Sequence, residues 1–453
     1  MSFQTGLSGL NASARNLDVI GHNIANANTT GMKVSRTEFA EVYASSLGAA
    51  GGGNAGIGVQ VATVAQLFTQ GNLKITGNQL DLAINGGGFF QVKSTDGATL
   101  YTRNGEFKLD SEGYITTNNG ARLQGFPTNE SGVRTSVVPQ DLVLPTGSII
   151  DPRPTGGNPD PALQGMFLTA NLDARAEAQV PAPVAPATTS RAAFPLTEGQ
   201  KTYGTATNVY DSQGVPIPVQ LYFVKLTNPN EWQVIASADN GVSGQDMGTV
   251  TFSSTGQISS LADSGGVAGA LDDITLTAGA APATPGNVIY TGNAQTPSDG
   301  TLSFPLRLGD AQAGYTLTQF GAKFGVFDLK QDGYTAGELT SIDIGESGVI
   351  LARYSNGVSI AEGQVALGNF RNLQGLQPVN GGYWSESVAS GPVVLGGPLE
   401  GRLGLIRQSS LEESNVDLTQ ELVNMIVAQR SYQANAQTIK TQDQIQQTLV
   451  SLR

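Results

Sequence analysis

The chain has 453 residues, a formal net charge of -13, one histidine and no cysteine. These counts exclude disulfides and thiolate metal sites, argue against zinc sites built on several imidazoles, and argue against a nucleic-acid partner. No apolar run approaches the roughly 18 residues of a membrane span, and no basic and apolar leader opens the chain, so we expect no membrane insertion and no cleavable signal.

The N-terminal segment carries apolar residues at heptad spacing, which predicts a helix of roughly 25 residues. The seam of that helix consists of Phe3, Leu7, Leu10, Ala14, Leu17 and Ile24. Asn23 and Asn26 lie three residues apart near its end, so their amides can bond to backbone or to a neighbouring subunit. Asn28 and Gly31 tolerate left-handed conformations and are expected to end the helix.

His22 is the one imidazole of the chain and lies four residues after Asp18. This spacing would allow a base and its orienting carboxylate on one helix face. A catalytic pair needs a rigid concave pocket, however, whereas this segment is an amphipathic helix that runs into a loop. We therefore interpret His22 as a surface or interface residue.

From about 70 to 395 the pattern changes to short alternating runs bounded by Gly, Asn, Asp and Pro, such as GFFQVK and EWQVIAS. This pattern predicts strands. Residues 151–161 and 180–195 are rich in Pro or Ala and indicate linkers, and 263–299 is a zone of low order.

The C-terminal segment returns to heptad spacing over 417–452, and Asp417 with Gln420 resembles a capping box at its start. Its apolar seam includes Leu418, Leu422, Met425, Tyr432, Ala436 and Ile439. Both terminal seams are narrow and have polar flanks, which favours helix partners over a broad core.

We predict a mainly β chain with terminal α-helices and nested β domains. The expected domains are a coiled-coil domain of terminal heptad helices (1–28 and 417–453), a connecting arm (29–70 and 396–416), a β domain (71–145 and 319–395) and an inserted outer β domain (146–318).

Two motifs suggest ligand sites and fail on their context. GGGNAG (51–56) matches a dinucleotide pattern, but a strand pattern follows it where the phosphate site needs a helix. DLKQDGYTAGEL (328–339) resembles a calcium loop, yet Lys330 and Leu339 replace ligand oxygens, so an Asp-Gly turn is the better interpretation. The sequence predicts no catalytic residue, no metal and no cofactor.

The ends of the chain carry a family resemblance. NIANANTTGMKVSRTEF (23–39) and LEESNVDLTQELVNMIVAQRSYQANAQTIKTQD (411–443) resemble the paired terminal signatures of bacterial flagellar rod, hook and hook-associated axial proteins. NQLDLAINGGGFFQV (78–92) is shared by the rod and hook group, and LKQDGYTAGELTSIDI (329–344) with YSNGVSIAEGQVALGNF (354–370) resembles the hook proteins. Met32 stands where the family pattern usually has Phe.

The resemblance implies a structural protein and not an enzyme. Hook subunits stack helically into a short, curved, hollow tube that acts as a universal joint and transmits torque from rod to filament. The implied partners are further copies of the chain, the rod, hook cap and hook-filament junction proteins, and the flagellar type III export apparatus. The implied location is the extracellular hook outside the outer membrane. Alternatives are a distal rod-type protein and, from a different class, a secreted β-rich hydrolase.

Together the resemblance and the seams suggest that the seam residues, with Asn23 and Asn26, pack against neighbouring subunits as an inner tube. Neither seam can be buried in a lone subunit except by the other helix, so we expect both ends to be largely disordered before assembly. Contacts that slide during bending should be polar and weakly charged, and we expect the outer domain to carry them.

Overall fold

The computed structural model describes residues 2–43, 56–145, 149–179, 191–277, 289–290, 301–310 and 314–451. Helix α1 spans Ser2–Ala25 and helix α2 spans Leu418–Ser451, and the segments between them are mostly strands. The predicted fold class, mainly β with a helix at each end, is confirmed. GGGNAG lies outside the described residues except for Gly56, which begins a strand.

The strands up to residue 145 are β1 Ser35–Tyr43, β2 Gly56–Gln66, β3 Leu73–Ile75, β4 Leu82–Asn85, β5 Phe89–Lys93, β6 Thr99–Thr102, β7 Phe107–Leu109, β8 Ile115–Thr117, β9 Arg122–Phe126 and β10 Gln140–Asp141. The next are β11 Ile149–Ile150, β12 Met166–Asp173, β13 Gly204–Tyr210, β14 Pro216–Lys225, β15 Glu231–Ser237, β16 Gln245–Phe252, β17 Ile258–Ala262, β18 Ile274–Thr277, β19 Ile289–Tyr290, β20 Thr301–Phe304, β21 Leu306–Arg307, β22 Gly309–Asp310, β23 Gly314–Tyr315, β24 Leu317–Phe320 and β25 Gly325–Gln331. The last are β26 Gly337–Ile344, β27 Val349–Tyr354, β28 Ser359–Val365, β29 Leu367–Asn369, β30 Gln377–Val379, β31 Tyr383–Ser385, β32 Val394–Gly396, β33 Leu405–Gln408 and β34 Ser410–Glu412. Short 3-10 helices span Pro161–Leu163 and Leu373–Gly375.

The chain divides into two compact units. Unit 1 comprises Met1–Gly147, Thr340–Arg353 and Ser359–Arg453, and unit 2 comprises Ser148–Leu339 and Tyr354–Val358. Unit 1 therefore contains both terminal helices.

Unit 1 is built on a twisted sheet in which β26, β27, β28, β9, β5, β6, β31 and β30 are neighbours in that order. Its side chains alternate between two buried clusters, as period 2 requires. Phe90 and Val92 enter a cluster with Leu82 and Leu123, whereas Phe89 points to the other face. A separate antiparallel ribbon of β1 and β2 leads from α1 into this sheet.

Unit 2 has a five-stranded antiparallel sheet ordered β13-β14-β15-β16-β17 and a second sheet around β12. Strand β12 pairs in parallel with β21 and β24, and antiparallel with β25. The core between the sheets includes Leu168, Leu172 and the fully buried Trp232. The Trp232 indole Nε1 donates a hydrogen bond to the Gln319 amide oxygen at 3.2 Å.

Three segments differ from the sequence-based expectation. Residues 319–339, expected in the inner β domain, lie in unit 2 because β24 and β25 pair with β12. Within the expected zone of low order, β18 is a strand, and Ile274 and Leu276 are buried. The loop 151–161, expected as a linker, holds Thr155 and Asn158 buried. In each case hydrogen bonds to distant strands override a local composition rich in Gly, Ala and Pro. Residues 180–190 of the Pro/Ala-rich stretch lie outside the described residues.

Candidate functional site

The two terminal helices pair antiparallel along faces of small and polar residues. A Cβ added at Gly6 would lie 3.2 Å from Ile439 Cγ1, and one at Gly9 would lie 2.9 Å from the Asn435 amide nitrogen. The same Asn435 nitrogen donates to Ser13 Oγ at 3.3 Å. Glycines three residues apart on one face allow this close approach, which larger side chains would prevent.

The predicted seam of α1 is therefore adjacent to the face that pairs with α2. Leu7 is 43% exposed. Leu10, Ala14, Leu17 and Ile24 are half-buried, while Ala12, Ile20 and Asn23 are buried. The Phe3 side chain lies outside what the structure describes. The close contact with α2 is made by Gly6 and Gly9, each one position before a predicted seam residue, Leu7 or Leu10.

The predicted seam of α2 is divided in the same way. Leu418 and Leu422 are 48% and 46% exposed. Met425, Tyr432, Ala436 and Ile439 are half-buried. Four other apolar side chains on α2 are about half exposed but lie outside the predicted heptad positions, namely Val423, Ile426, Val427 and Ile445. Their apolar character is visible in the sequence, although the heptad period does not include them.

Helix α2 begins at Leu418, directly after Asp417. As predicted, Asp417 caps it, because its carboxylate accepts hydrogen bonds from the backbone N–H groups of Thr419 and Gln420 at 2.9 and 3.1 Å. This is N-capping. The reciprocal half of the expected capping box is replaced, because the Gln420 amide donates to Asn424 at 3.1 Å.

Asn23 and Asn26 serve the end of α1. Asn23 is 1% exposed. Its amide donates to the Ser35 carbonyl at 2.8 Å and accepts from the Ser35 N–H at 3.0 Å, and it also donates to Glu421 at 3.3 Å. Asn26 donates to the carbonyl of His22 at 2.9 Å. Asn23 thus docks the ribbon and α2 onto α1, and Asn26 closes the last turn beside an exposed His22.

A buried ionic cluster, formed by Lys33, Arg103 and Glu412, connects the segments that lead into the two helices. The carboxylate of Glu412 is fully buried and lies 2.6 Å from Lys33 Nζ and 2.9 Å from Arg103 Nη1. It also accepts from the Gly71 N–H at 2.9 Å. One carboxylate therefore holds four chain segments together.

Further hydrogen bonds extend the cluster toward both helices. Lys33 Nζ donates to the Thr69 carbonyl at 2.7 Å, and the Glu412 carbonyl accepts from the Gly31 N–H at 2.8 Å. Asn415 accepts from the Val34 N–H at 2.7 Å and donates to the Leu67 carbonyl at 2.8 Å. The segments that follow α1 and precede α2 are thus fixed to each other.

Electrostatics of the cluster follow from burial. Desolvation lowers the pKa of Lys33 below 10.5, although the attraction and hydrogen bond of Glu412 oppose it. Desolvation also lowers the pKa of Arg103, again against the influence of Glu412. Two cations share one carboxylate, so losing that carboxylate would leave buried positive charge without compensation. None of these three residues is predicted from the sequence, in which the lone charge of Lys33 between Met32 and Val34 is the one local signal.

An elongated groove lies between α1, the ribbon and α2, all within unit 1, and we name it the helix-ribbon groove. Its volume is ≈ 930 Å³. The residues that line it include Gly9, Asn16, Ile20, Thr37, Phe39, Gln420, Asn424, Val427 and Ser431. Phe39 and Val427 are 47% and 57% exposed, so the groove has an open apolar rim.

The calcium-like loop of the sequence has a structural role in unit 2. The Asp332 carboxylate accepts hydrogen bonds from the backbone N–H groups of Gly156, Asn158 and Gly165 at 2.7, 3.0 and 3.1 Å. It therefore anchors the loop that precedes β12. Among the described residues, no group of three or more His, Asp or Glu side chains could hold a metal ion. Neither helix, as far as it is described, is long and apolar enough to cross a membrane.

Four family models match the chain, and they define the class of protein. "Flagella basal body rod protein" matches residues 3–33, and "Flagellar basal body rod FlgEFG protein C-terminal" matches 407–452. "Flagellar hook protein FlgE/F/G D1 domain" matches 83–151, and "Flagellar basal body protein FlaE D2 domain" matches 171–334. Both helices and both β units thus match structural proteins of the flagellar rod and hook.

Relatives narrow the class further. The flagellar hook protein FlgE of Salmonella typhimurium is 36% identical over 463 residues, and that of Escherichia coli K12 is 36% identical over 460; each comparison covers 100% of both chains. The FlgE of Treponema pallidum is 33% identical and covers 100% of this chain and 99% of its own. The chain belongs to the flagellar hook protein family, which is a structural and not an enzymatic family. The crystal structure of Helicobacter pylori hook protein FlgE2 aligns with 75% of this chain and 100% of its own, at 14% identity and a TM-score of 0.49.

Proposed function

We propose that copies of this chain assemble helically through α1 and α2 into a short, curved, hollow tube that transmits torque from rod to filament as a flexible joint. One observation carries the proposal: after the helices have paired, seven of their described apolar side chains are still between 43% and 57% exposed. They are Leu7, Leu418, Leu422, Val423, Ile426, Val427 and Ile445. Apolar surface of this extent indicates a contact with another protein surface.

The predicted packing residues keep this role in the proposal. The half-buried side chains of both seams contact the paired helix and a neighbouring copy, while Leu7, Leu418 and Leu422 present more of their surface, 43%, 48% and 46%, to neighbouring copies. Asn23 and Asn26 contribute indirectly, by fixing the end of α1. Disorder of both helices before assembly stays a prediction, and hydrogen exchange of the monomer and of the polymer would test it.

Membership of the hook protein family supports the remaining partners and the location that we infer. We infer contacts with rod, hook cap and hook-filament junction proteins, export without a cleaved signal through the flagellar type III apparatus, and a location in the hook outside the outer membrane. We assign the contacts that slide during bending to the inserted outer domain, because a chain with 13% charged residues can form polar contacts without fixed ion pairs.

Electron microscopy of the purified chain under polymerising salt tests the proposal. Curved tubes are expected. Straight rods would favour the distal rod-type alternative. The matches of both termini to models of rod proteins are consistent with that alternative. Failure to assemble at any salt or protein concentration would overturn both.

A further inference from the structure

The helix pair is uneven in length, and this leaves one end of α2 beyond α1. Helix α2 has 34 residues and α1 has 24. The antiparallel register places Gly6 against Ile439, and the start of α1 reaches as far as Gln442. Residues 443–451 therefore extend past the pair by about 13 Å, at 1.5 Å per residue. We name them the α2 overhang.

The α2 overhang is exposed along its described side chains. All side chains from 443 to 448 are exposed, including an apolar Ile445 at 48%. The other side chains from 443 to 448 are polar, and three of these five are the amides Gln444, Gln446 and Gln447. The α2 overhang therefore presents apolar Ile445 among polar side chains at the end of a 34-residue helix.

The helix-ribbon groove matches the α2 overhang in length and chemistry. From Gly9 to Ile20 the groove follows α1 for roughly 16 Å. Its walls present amides and hydroxyls from Asn16, Gln420 and Ser431, beside the apolar Phe39 and Val427. Thr37, which also lines the groove, is 8% exposed, and among the described residues its hydroxyl has no hydrogen-bond partner.

The groove and the α2 overhang of one chain cannot meet. Val427 lines the groove and Ile445 lies in the overhang on the same continuous helix, about 27 Å apart. Only a second copy can bring the two surfaces together. A contact between two different surfaces of identical chains is heterologous, and repeating it produces a ring if the rotation closes and an open helical polymer if it does not.

We propose that the α2 overhang of one copy lies in the helix-ribbon groove of the next copy along the tube. Ile445 packs against the apolar rim, and the overhang amides bond to the amides and hydroxyls of Asn16, Gln420 and Ser431 in the groove wall. The inference rests on the proposed polymer and adds which two surfaces meet in it.

Disulfide trapping tests this contact, and the absence of cysteine from the chain removes background. The double variant Val427→Cys with Ile445→Cys is polymerised, mildly oxidised and separated on denaturing gels without reductant. A disulfide needs Cα atoms within about 7 Å, so any bridge between these two positions joins different chains. A ladder of dimers and higher multimers is expected, and reductant should abolish it. Each single variant should give dimers at most, because it has only one cysteine per chain.

The control pairs Ile445→Cys with Gln433→Cys in place of Val427→Cys, because Gln433 is exposed on α2 and does not line the groove. Roughly ten-fold more cross-linked chain is expected from the groove pair than from this control, because only the groove pair is held at high effective concentration. A second pair, Ser431→Cys with Gln446→Cys, repeats the test with polar positions in case loss of apolar side chains prevents assembly.

The outcomes separate the inference from the proposed function. Curved tubes with the ladder support both. Tubes from either double variant without the ladder, or with an equal ladder from the control pair, overturn the groove contact and leave the hook polymer standing. If the parent chain forms no tubes, the proposed function fails, and the groove contact fails with it.

Discussion

At the scale of single residues, Glu412 connects four segments of unit 1 through one buried carboxylate. It is fully buried and bonds to Lys33, Arg103 and the backbone of Gly71. Buried ion pairs contribute little net stability compared with apolar residues, but breaking one is costly because the remaining charge stays buried. Here the cluster also fixes how the segments next to the two helices meet.

Glu412→Gln should therefore destabilise unit 1 strongly. We expect a loss of about 3–5 kcal/mol in the free energy of unfolding, because Lys33 and Arg103 would stay buried without a counter-charge. Denaturant unfolding followed by the fluorescence of Trp384, which packs in unit 1, measures the loss. The control is Glu413→Gln, an exposed neighbour expected to change stability by less than ~0.5 kcal/mol. Equal effects of the two variants would contradict the role of the cluster.

The lowered pKa of Lys33 predicts that the free energy of unfolding depends on pH. Its pKa is lowered in the folded chain, so between that lowered value and 10.5 the unfolded chain binds more protons and stability rises with pH. Lys33→Met removes this contribution. The free energy of unfolding of the parent minus that of Lys33→Met should thus increase as pH rises toward 10.5. Lys108→Met, at an exposed position of β7, controls for the loss of one positive charge. A difference that stays level or declines with pH would count against the prediction.

At the scale of elements, the contact between α1 and α2 depends on missing side chains. Gly9 approaches the Asn435 amide so closely that a Cβ would lie within 3.1 Å of three of its atoms. Gly21, on the same helix, has no atom within 4 Å of the corresponding position. Both glycines lower the intrinsic stability of the helix, but only Gly9 is required for the close approach of α2.

Gly9→Val should separate the helices and weaken assembly. Overpacking of this kind costs about 1–3 kcal/mol, which raises the critical concentration for tube formation roughly five-fold or more. Gly21→Ala should instead leave assembly intact and strengthen α1, since alanine favours a helix by about 0.5–1 kcal/mol over glycine. Sedimentation of tubes over a concentration series gives both values. Tubes of unchanged stability from Gly9→Val would refute the close pairing.

At the scale of the whole molecule, helices and β units have separate cores. None of the four buried hydrophobic clusters of the described residues includes a residue from α1 or α2. The helices are attached through the ribbon, Asn23 and the ionic cluster. Folding of the β units and assembly through the helices are therefore separable properties.

Removing 418–453 tests this separation. The truncated chain keeps Glu412 and Asn415, so we expect a soluble protein with cooperative unfolding and native near-ultraviolet circular dichroism, but without tubes under polymerising salt. The full chain at equal concentration is the control. Tubes from the truncated chain would show that the helices are dispensable for assembly, and a loss of cooperative unfolding would show that α2 belongs to the fold of unit 1.

The amino-acid sequence by itself determined the elements. Alternating runs such as EWQVIAS became strands over the predicted residues, and both heptad segments became helices, because period and capping are properties of neighbouring positions. The terminal signatures identified the family for a similar reason, since they lie in continuous segments. Residue spacing was sufficient for the strands and helices, whereas the family followed from the resemblance of the terminal segments.

Only the tertiary structure decided which surfaces meet. Heptad period alone could not show that α1 contacts α2 through Gly6 and Gly9 and leaves Leu7 exposed. Composition could not place residues 319–339 with β12. No local pattern joins Lys33 and Arg103 to Glu412, which lies 379 and 309 positions away from them in the sequence. These contacts depend on close approach and on the burial of charge, which arise only when distant segments are brought together.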